Sequence, residues 1–189
     1  MKKIAVFASG SGSNAQKIME YFREKPVASV EIVLSNKKNA FVLERAGKFN
    51  IPTLVFDRDM FYRSNHILDT LKSYQIDLIV LAGFLWLVPD NLLKNYPNRI
   101  INIHPALLPK FGGKGMYGER VHEAVVENHE EYSGITIHYI NERYDEGDII
   151  FQAKCKVEPT DTAVDVARKV HALEYEHFPR VVEEVLAKI

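Results

Sequence analysis

Short apolar runs alternate with amphipathic segments from one end of the chain to the other. Residues 4–8, 30–34, 53–55, 78–82 and 100–103 are short and mostly apolar, the pattern of strands covered on both faces of a parallel sheet. Leu78-Ile79-Val80-Leu81-Ala82 is the strongest of these runs. The segments between them carry helical spacing. Over residues 14–25, Ala15, Ile18, Met19 and Phe22 share one face, and Ser13 stands where an N-cap belongs. Further helices are expected over residues 41–49, through Ile67, Leu68 and Leu71, after Pro89, and over 119–128. This alternation predicts an α/β fold: a Rossmann-like, open, mostly parallel twisted sheet with helices on both faces. Residues 134–140 and 149–156 read as two strands joined only by a loop, so the C-terminal part of the sheet is expected to be antiparallel. Residues 161–189 read as one long closing helix that Pro179 kinks or interrupts.

Composition narrows the function. The 189 residues fit one domain, and 47% hydrophobic with 26% charged residues excludes a disordered chain. Lys plus Arg number 24 and Asp plus Glu 25, a net charge of -1. A chain so balanced lacks the bulk positive charge that drives binding to a nucleic-acid backbone, so no nucleic-acid partner is expected. No apolar run reaches the length of a membrane span. The apolar stretch after Lys2 and Lys3 is stopped by Ser9-Gly10-Ser11-Gly12, too soon for a signal peptide. Cys155 is the single cysteine, so neither an intrachain disulfide nor a cysteine zinc site is expected. The expectation is a soluble protein of a reducing, cytoplasmic compartment.

Four segments carry candidate chemistry. Ser9-Gly10-Ser11-Gly12-Ser13-Asn14-Ala15 joins the first strand to the first helix. Its glycines let the backbone approach a ligand, and the helix N-terminus favours an anion. It fits G-x-G-x-x-G/A, yet Ser35-Asn36 stands where a dinucleotide site needs an acid. A terminal phosphate is the favoured ligand, with a dinucleotide or a plain connecting turn as alternatives. Asn102 and His104 lie two apart on a strand and face one space at its carboxyl end. Together they could polarise a carbonyl and move a proton; a strand-end histidine read alone is more often structural, and the Asn partner and Pro105 bring the two readings level. Tyr144-Asp145-Glu146-Gly147-Asp148 is an acidic turn. It is a solvated turn if read alone, and a source of a carboxylate partner for His104 if it folds over that strand. Leu85, Trp86, Leu87 and Val88 carry apolar groups past the end of the strongest strand, as core or as a slot for a flat ligand. Residues 111–118 hold four glycines and read as a lid beside such a site.

Ser9-Gly-x-Gly-Ser-Asn14, Leu81-Ala-Gly-Phe84, Asn102-Ile-His-Pro-x-Leu-Leu-Pro109 and Tyr144-Asp-Glu-Gly-Asp148 occur in this order. With them the chain resembles the folate-dependent formyltransferases, and among these the phosphoribosylglycinamide formyltransferases, over essentially its whole length. The resemblance implies transfer of the formyl group of 10-formyltetrahydrofolate to the amine of 5'-phosphoribosylglycinamide, in de novo purine (IMP) biosynthesis. It implies one formyltransferase domain over residues 1–189, with a phosphate-binding half at 1–100 and a catalytic, folate-binding half at 101–189. Asn102, His104 and Asp145 would be the catalytic trio, with Asp145 raising the His104 pKa. Gly12, Ser13 and Asn14 would hold the ribose phosphate, and His171, Ala172, Leu173 and Glu174 would reach the rest of that substrate. Leu85, Trp86, Leu87 and Val88, with Asn141, Glu142, Arg143, Tyr144, Asp145 and Asn102, would cradle the pterin. His138 matches a further histidine near the site. No metal is implied, and monomer and homodimer both remain open. Many relatives carry Arg or Lys at the place of Trp86, and the basic residue that helps hold folate corresponds to either Arg58 or Arg63. Relatives acting on tRNA, or hydrolysing the formyl folate, would need a further domain that these 189 residues leave no room for. A formyltransferase of an amino sugar nucleotide and a nucleotide-binding oxidoreductase remain as alternatives.

Overall fold

The computed structural model describes residues 1–189. Seven strands form one sheet: β1 (Lys2–Phe7), β2 (Ala28–Ser35), β3 (Thr53–Val55), β4 (Leu78–Leu81), β5 (Ile100–His104), β6 (Tyr132–Tyr139) and β7 (Ile149–Lys156). Their spatial order is β3-β2-β1-β4-β5-β6-β7. β1 to β5 are mutually parallel, and β6 pairs antiparallel with both β5 and β7. The predicted open α/β sheet with an antiparallel C-terminal addition is therefore the observed fold. No helix is long and apolar enough to cross a membrane.

Alternation along the buried strands feeds two cores. Ile4, Val6, Leu78, Val80, Ile101 and Ile103 face α1 (Ser13–Glu24) and α7 (Ala163–Leu186) on one side of the sheet. Ala5, Phe7, Ile79, Leu81 and Ile100 face α4 (His66–Ser73) and α5 (Asp90–Asn95) on the other. Successive side chains of a strand point to opposite faces, so a continuous apolar run serves both layers.

Three local expectations are corrected. Gly12, not Ser13, is the N-cap of α1, with φ of 77° and no side chain bonded to the first-turn N–H groups. Val42, at the start of α2 (Val42–Lys48), lies 2.4 Å from where a Gly12 Cβ would stand, so only glycine fits both the turn and the space. Of the two outcomes expected at Pro179, interruption does not occur, and α7 continues through it as one helix. The proline is buried within a 24-residue helix anchored by a Thr162–Asp165 capping box, so packing along its length outweighs the bond lost at one N–H. A short helix, α3 (Arg58–Tyr62), precedes α4, started by Asp57 Oδ1 accepting from Met60 N–H at 2.8 Å.

The strand order changes direction at β1 and β4, with β2 and β3 to one side and β5 to the other. A crevice opens above the carboxyl ends of such a pair, where open α/β sheets bind ligands. Gly12→Ala should lower stability by about 1–3 kcal/mol through strain and overpacking against Val42. Denaturant unfolding checks this; an unchanged midpoint would mean that α2 is free to move aside.

Candidate active site

That crevice is a cavity of about 670 Å³, lined by the ends of β1, β4 and β5 and by segments of the C-terminal half. Ser9, just past β1, ties its walls together. Its N–H donates to Gly83 O at 3.0 Å, and its Oγ donates to Asn36 Oδ1 at 2.6 Å while accepting the Leu85 N–H at 3.0 Å. Asn36 thus holds the loop after β2 where a dinucleotide site would place its ribose-binding acid, an arrangement that speaks against the dinucleotide alternative.

At one end of the cavity, Gly10, Ser11, Gly12, Ser13 and Asn14 form a loop that enters the 12-residue helix α1. The first-turn N–H groups have no side-chain cap, which leaves donors of the kind an anion can take. Asn14 Nδ2 donates to Glu174 Oε2 at 2.9 Å, and Asn14 Oδ1 is buried without a partner. Glu174 projects from α7 at 5% exposure. Burial pushes its carboxyl up to about 7, against the Asn14 bond, which pulls it down. His171, one turn earlier on α7, lines the same wall.

At the centre, β5 delivers Asn102 and His104 to one face, as their spacing predicts. His104 is 3% exposed. Its Nε2–H donates to Phe111 O at 2.8 Å, and its Nδ1 faces Asp145 Oδ2 at 3.5 Å. Asp145 is carried on the turn after β6 in left-handed backbone, φ of 56°, and its Oδ2 also accepts the Gly113 N–H at 3.0 Å. His138 Nδ1–H donates to Tyr139 O at 2.9 Å, so its Nε2 accepts from Asn102 Nδ2 at 3.1 Å. That bond fixes which end of the Asn102 amide is nitrogen and leaves its second N–H free. Burial pulls the His104 pKa below its usual value, and this outweighs the upward pull of Asp145 and Phe111 O. The expectation of a raised His104 pKa is corrected: Asp145 does act in that direction, but desolvation wins. For Asp145, burial works upward, yet its neighbours, the Gly113 N–H on Oδ2 among them, hold its carboxyl below the ordinary range.

At the far end, Phe84, Leu85 and Trp86 form an apolar wall facing Tyr144, and the Arg58 guanidinium lies 4.6 Å from the centre of the Trp86 ring. Arg63 instead pairs with Asp59 at 3.3 Å and borders a separate surface cleft, so of the two basic candidates only Arg58 reaches the cavity.

Several expected residues lie outside. Val88 is buried in the core under α5, and Leu87 is turned aside, its carbonyl accepting from Tyr62 OH at 2.7 Å. Asn141, Glu142 and Arg143 stay on the outer side of the turn, where Asn141 Oδ1 accepts the Arg143 N–H at 2.9 Å. Ala172 is exposed and Leu173 packs on the core, because a helix turns only His171 and Glu174, three apart, toward one place. Conversely, Lys37, Arg120 and His122 line the cavity without having stood out in the sequence. His122 is 3% exposed, with Nδ1 unpartnered, and burial, reinforced by His171 and His104, lowers its pKa to about 4. Its position on the buried face of α6 (Glu119–Glu127), beside Val121 and Val125, was the available signal. The glycine-rich segment supplies Gly113, Lys114, Gly115, Met116 and Tyr117 to the cavity wall. No group of three or more His, Cys, Asp or Glu side chains is arranged to hold a metal ion.

The fold and this site define a class. Residues 2–182 match the family described as formyl transferase. The chain is 37% identical over 191 residues to the phosphoribosylglycinamide formyltransferase of Bacillus subtilis (strain 168), covering 98% of this chain and 95% of that one. It is 43% identical over 187 residues to the chloroplastic phosphoribosylglycinamide formyltransferase of Arabidopsis thaliana, covering 96% of this chain and 64% of that protein. The chain thus spans less than two thirds of the length of that relative, and 60% of the Vigna unguiculata one. The crystal structure of glycinamide ribonucleotide transformylase 1 from Geobacillus kaustophilus superimposes with a TM-score of 0.89 at 35% identity, covering 98% of this chain and 99% of that one. The chain belongs to the formyl transferase family, and within it to the phosphoribosylglycinamide formyltransferases.

Glu174 gives the site a pH signature. Its ordinary pKa near 4.5 rises to about 7 on folding, so the folded state holds the extra proton. Stability from this group is complete below pH 4.5 and is lost as pH rises through 7. At about 1.4 kcal/mol per pH unit, the loss is on the order of 3 kcal/mol. Glu174→Gln should remove it. Unfolding at pH 5 and pH 8.5 should show the variant gaining on the wild type at the higher pH; parallel pH profiles would mean that Glu174 titrates normally.

Proposed function

We propose that the protein transfers the formyl group of 10-formyltetrahydrofolate to the amine of 5'-phosphoribosylglycinamide, a formyl transfer of purine biosynthesis. One observation carries this reading: an amide, a buried imidazole and a carboxylate face the middle of a cavity with an anion-suited loop at one end and an aromatic slot at the other. The ends suit two substrates of different chemistry, and the middle suits a group passed between them.

The aromatic wall fits the co-substrate. Phe84, Leu85 and Trp86 offer a surface for a flat pterin, and Arg58, held over Trp86, offers a cation to the carboxylates of the folate tail. Lys37, Arg120 and the loop of residues 10–14 line the same cavity and offer cations and N–H groups to a phosphate. Binding the amine by its phosphate and the folate by its ring turns an encounter of two molecules into a reaction within one complex.

The substrate nitrogen attacks the formyl carbon, and the carbonyl π electrons move to oxygen. The free N–H of Asn102, aimed by His138, donates to that oxyanion. The attacking nitrogen, now cationic, gives a proton to His104. The acceptor is Nδ1, because Nε2 already carries hydrogen toward Phe111 O. A lowered pKa keeps this imidazole neutral and able to accept, and Asp145 at 3.5 Å stabilises the imidazolium that forms. The same proton then passes to the folate nitrogen as its bond to the formyl carbon breaks, and His104 returns to neutral. The protein supplies no nucleophile, and electrons and protons balance between the two substrates.

His104→Ala and Asp145→Asn should each lower turnover by about a hundredfold or more. The change in folate absorbance on mixing 10-formyltetrahydrofolate with 5'-phosphoribosylglycinamide reads this directly; near-normal turnover in either variant would remove that residue from the mechanism. Arg58→Met should raise the KM for the formyl donor by about tenfold, the usual worth of one charge-assisted bond. Arg63→Met should leave it unchanged, and the opposite pattern would reverse the assignment.

A further inference from the structure

The start of α2 is built against the back of the loop between β1 and α1. Val42 N–H donates to Gly10 O at 3.1 Å. Arg45 Nε–H donates to Ser11 O at 2.8 Å and its Nη2–H reaches Ser11 Oγ at 3.3 Å, while Nη1–H is bonded to Gln16 Oε1 in α1. The guanidinium also lies over the Phe41 ring, 4.9 Å from its centre, which limits where it can swing. Arg45 does not line the cavity, so it acts on a ligand only through the loop it holds.

The direction of these bonds has a consequence for the cavity. In a trans peptide, a carbonyl and the N–H of the next residue point opposite ways. The bond that draws Gly10 C=O toward α2 turns Ser11 N–H away from α2. The bond from Arg45 to Ser11 C=O does the same for Gly12 N–H. Neither of these N–H groups has a backbone partner, and Ser11 and Gly12 both line the cavity. Successive free N–H groups of this kind form an anion-binding concavity.

We infer that Arg45 is a positioning residue for the phosphate of the substrate, holding the Ser11 carbonyl out of the cavity and aiming the Gly12 N–H into it. This rests on the phosphate reading of the loop given above. Gly12 has no side chain to restrain its neighbouring peptide, so without Arg45 the Ser11 peptide can turn its oxygen toward the anion. The guanidinium charge behind the loop works in the same direction.

Arg45→Met and Arg45→Lys separate this role from a merely structural one. In Arg45→Met, the KM for 5'-phosphoribosylglycinamide should rise by about ten- to a hundredfold, with kcat within about threefold of wild type. The KM for 10-formyltetrahydrofolate should stay unchanged, and Arg45→Lys should recover part of the loss. Independently of activity, titrating inorganic phosphate should shift the Gly12 amide resonance in the wild type and not in Arg45→Met. An unchanged KM, or a Gly12 response equal in both proteins or missing from the wild type, overturns the inference. If the wild type transfers no formyl group while its Gly12 amide answers phosphate in an Arg45-dependent way, the proposed reaction fails and the role of Arg45 stands.

Discussion

The His104 imidazole is taken out of water and set between a carbonyl oxygen at 2.8 Å from Nε2 and a carboxylate oxygen at 3.5 Å from Nδ1. Burial opposes charge on the ring, and the two acceptors favour it. Burial prevails in the free protein, yet a proton that arrives meets a carboxylate already in place. The two acceptors come from different segments, Phe111 at the entrance of the glycine-rich loop and Asp145 in left-handed backbone after β6. The Gly113 N–H bonded to Asp145 joins those segments to each other. Loop, turn and strand end are therefore one unit held around one ring, and a change in any of them reaches the ionisation of that ring.

The remainder of the site follows from the sheet. Parallel strands with a change of order at β1 and β4 open a crevice above their carboxyl ends. Ser9 fixes the crevice walls with bonds to Gly83, Leu85 and Asn36, so the glycine-serine loop and the aromatic wall keep a set separation. β6, running antiparallel to β5, places His138 opposite Asn102. An antiparallel neighbour was needed here, because it returns the chain to the crevice and brings the turn with Asp145 over the end of β5. The long helix α7 closes the other wall with Glu174 and His171.

Much of this was legible in the sequence, for reasons that differ by residue. The strands were plain because doubly covered strands are continuous apolar runs. Asn102 and His104 were legible as a pair because a two-residue step in a strand keeps one face. The N-cap was placed on Ser13 instead of Gly12, since the Val42 contact that demands glycine lies 30 residues away and leaves no local trace. Leu87, Val88 and residues 141–143 came with the resemblance, which marks whole stretches, whereas a loop turns successive side chains to different sides and these five do not line the cavity. Arg58 and Arg63 could not be told apart until α3 set their directions. The net pKa of His104 was out of reach for a stronger reason: it is a contest between burial and charge, and sequence shows the charge but not the depth.

The ionisation of His104 tests the central claim most directly. Nitrogen-15 resonances of its imidazole, followed against pH in the wild type and in Asp145→Asn, report both the tautomer and the pKa. A neutral ring with hydrogen on Nε2 at pH 7.5, titrating below an ordinary histidine and lower still in Asp145→Asn, is the expected result. A ring already cationic at pH 7.5, one with hydrogen on Nδ1, or a titration that ignores the loss of Asp145 would contradict it.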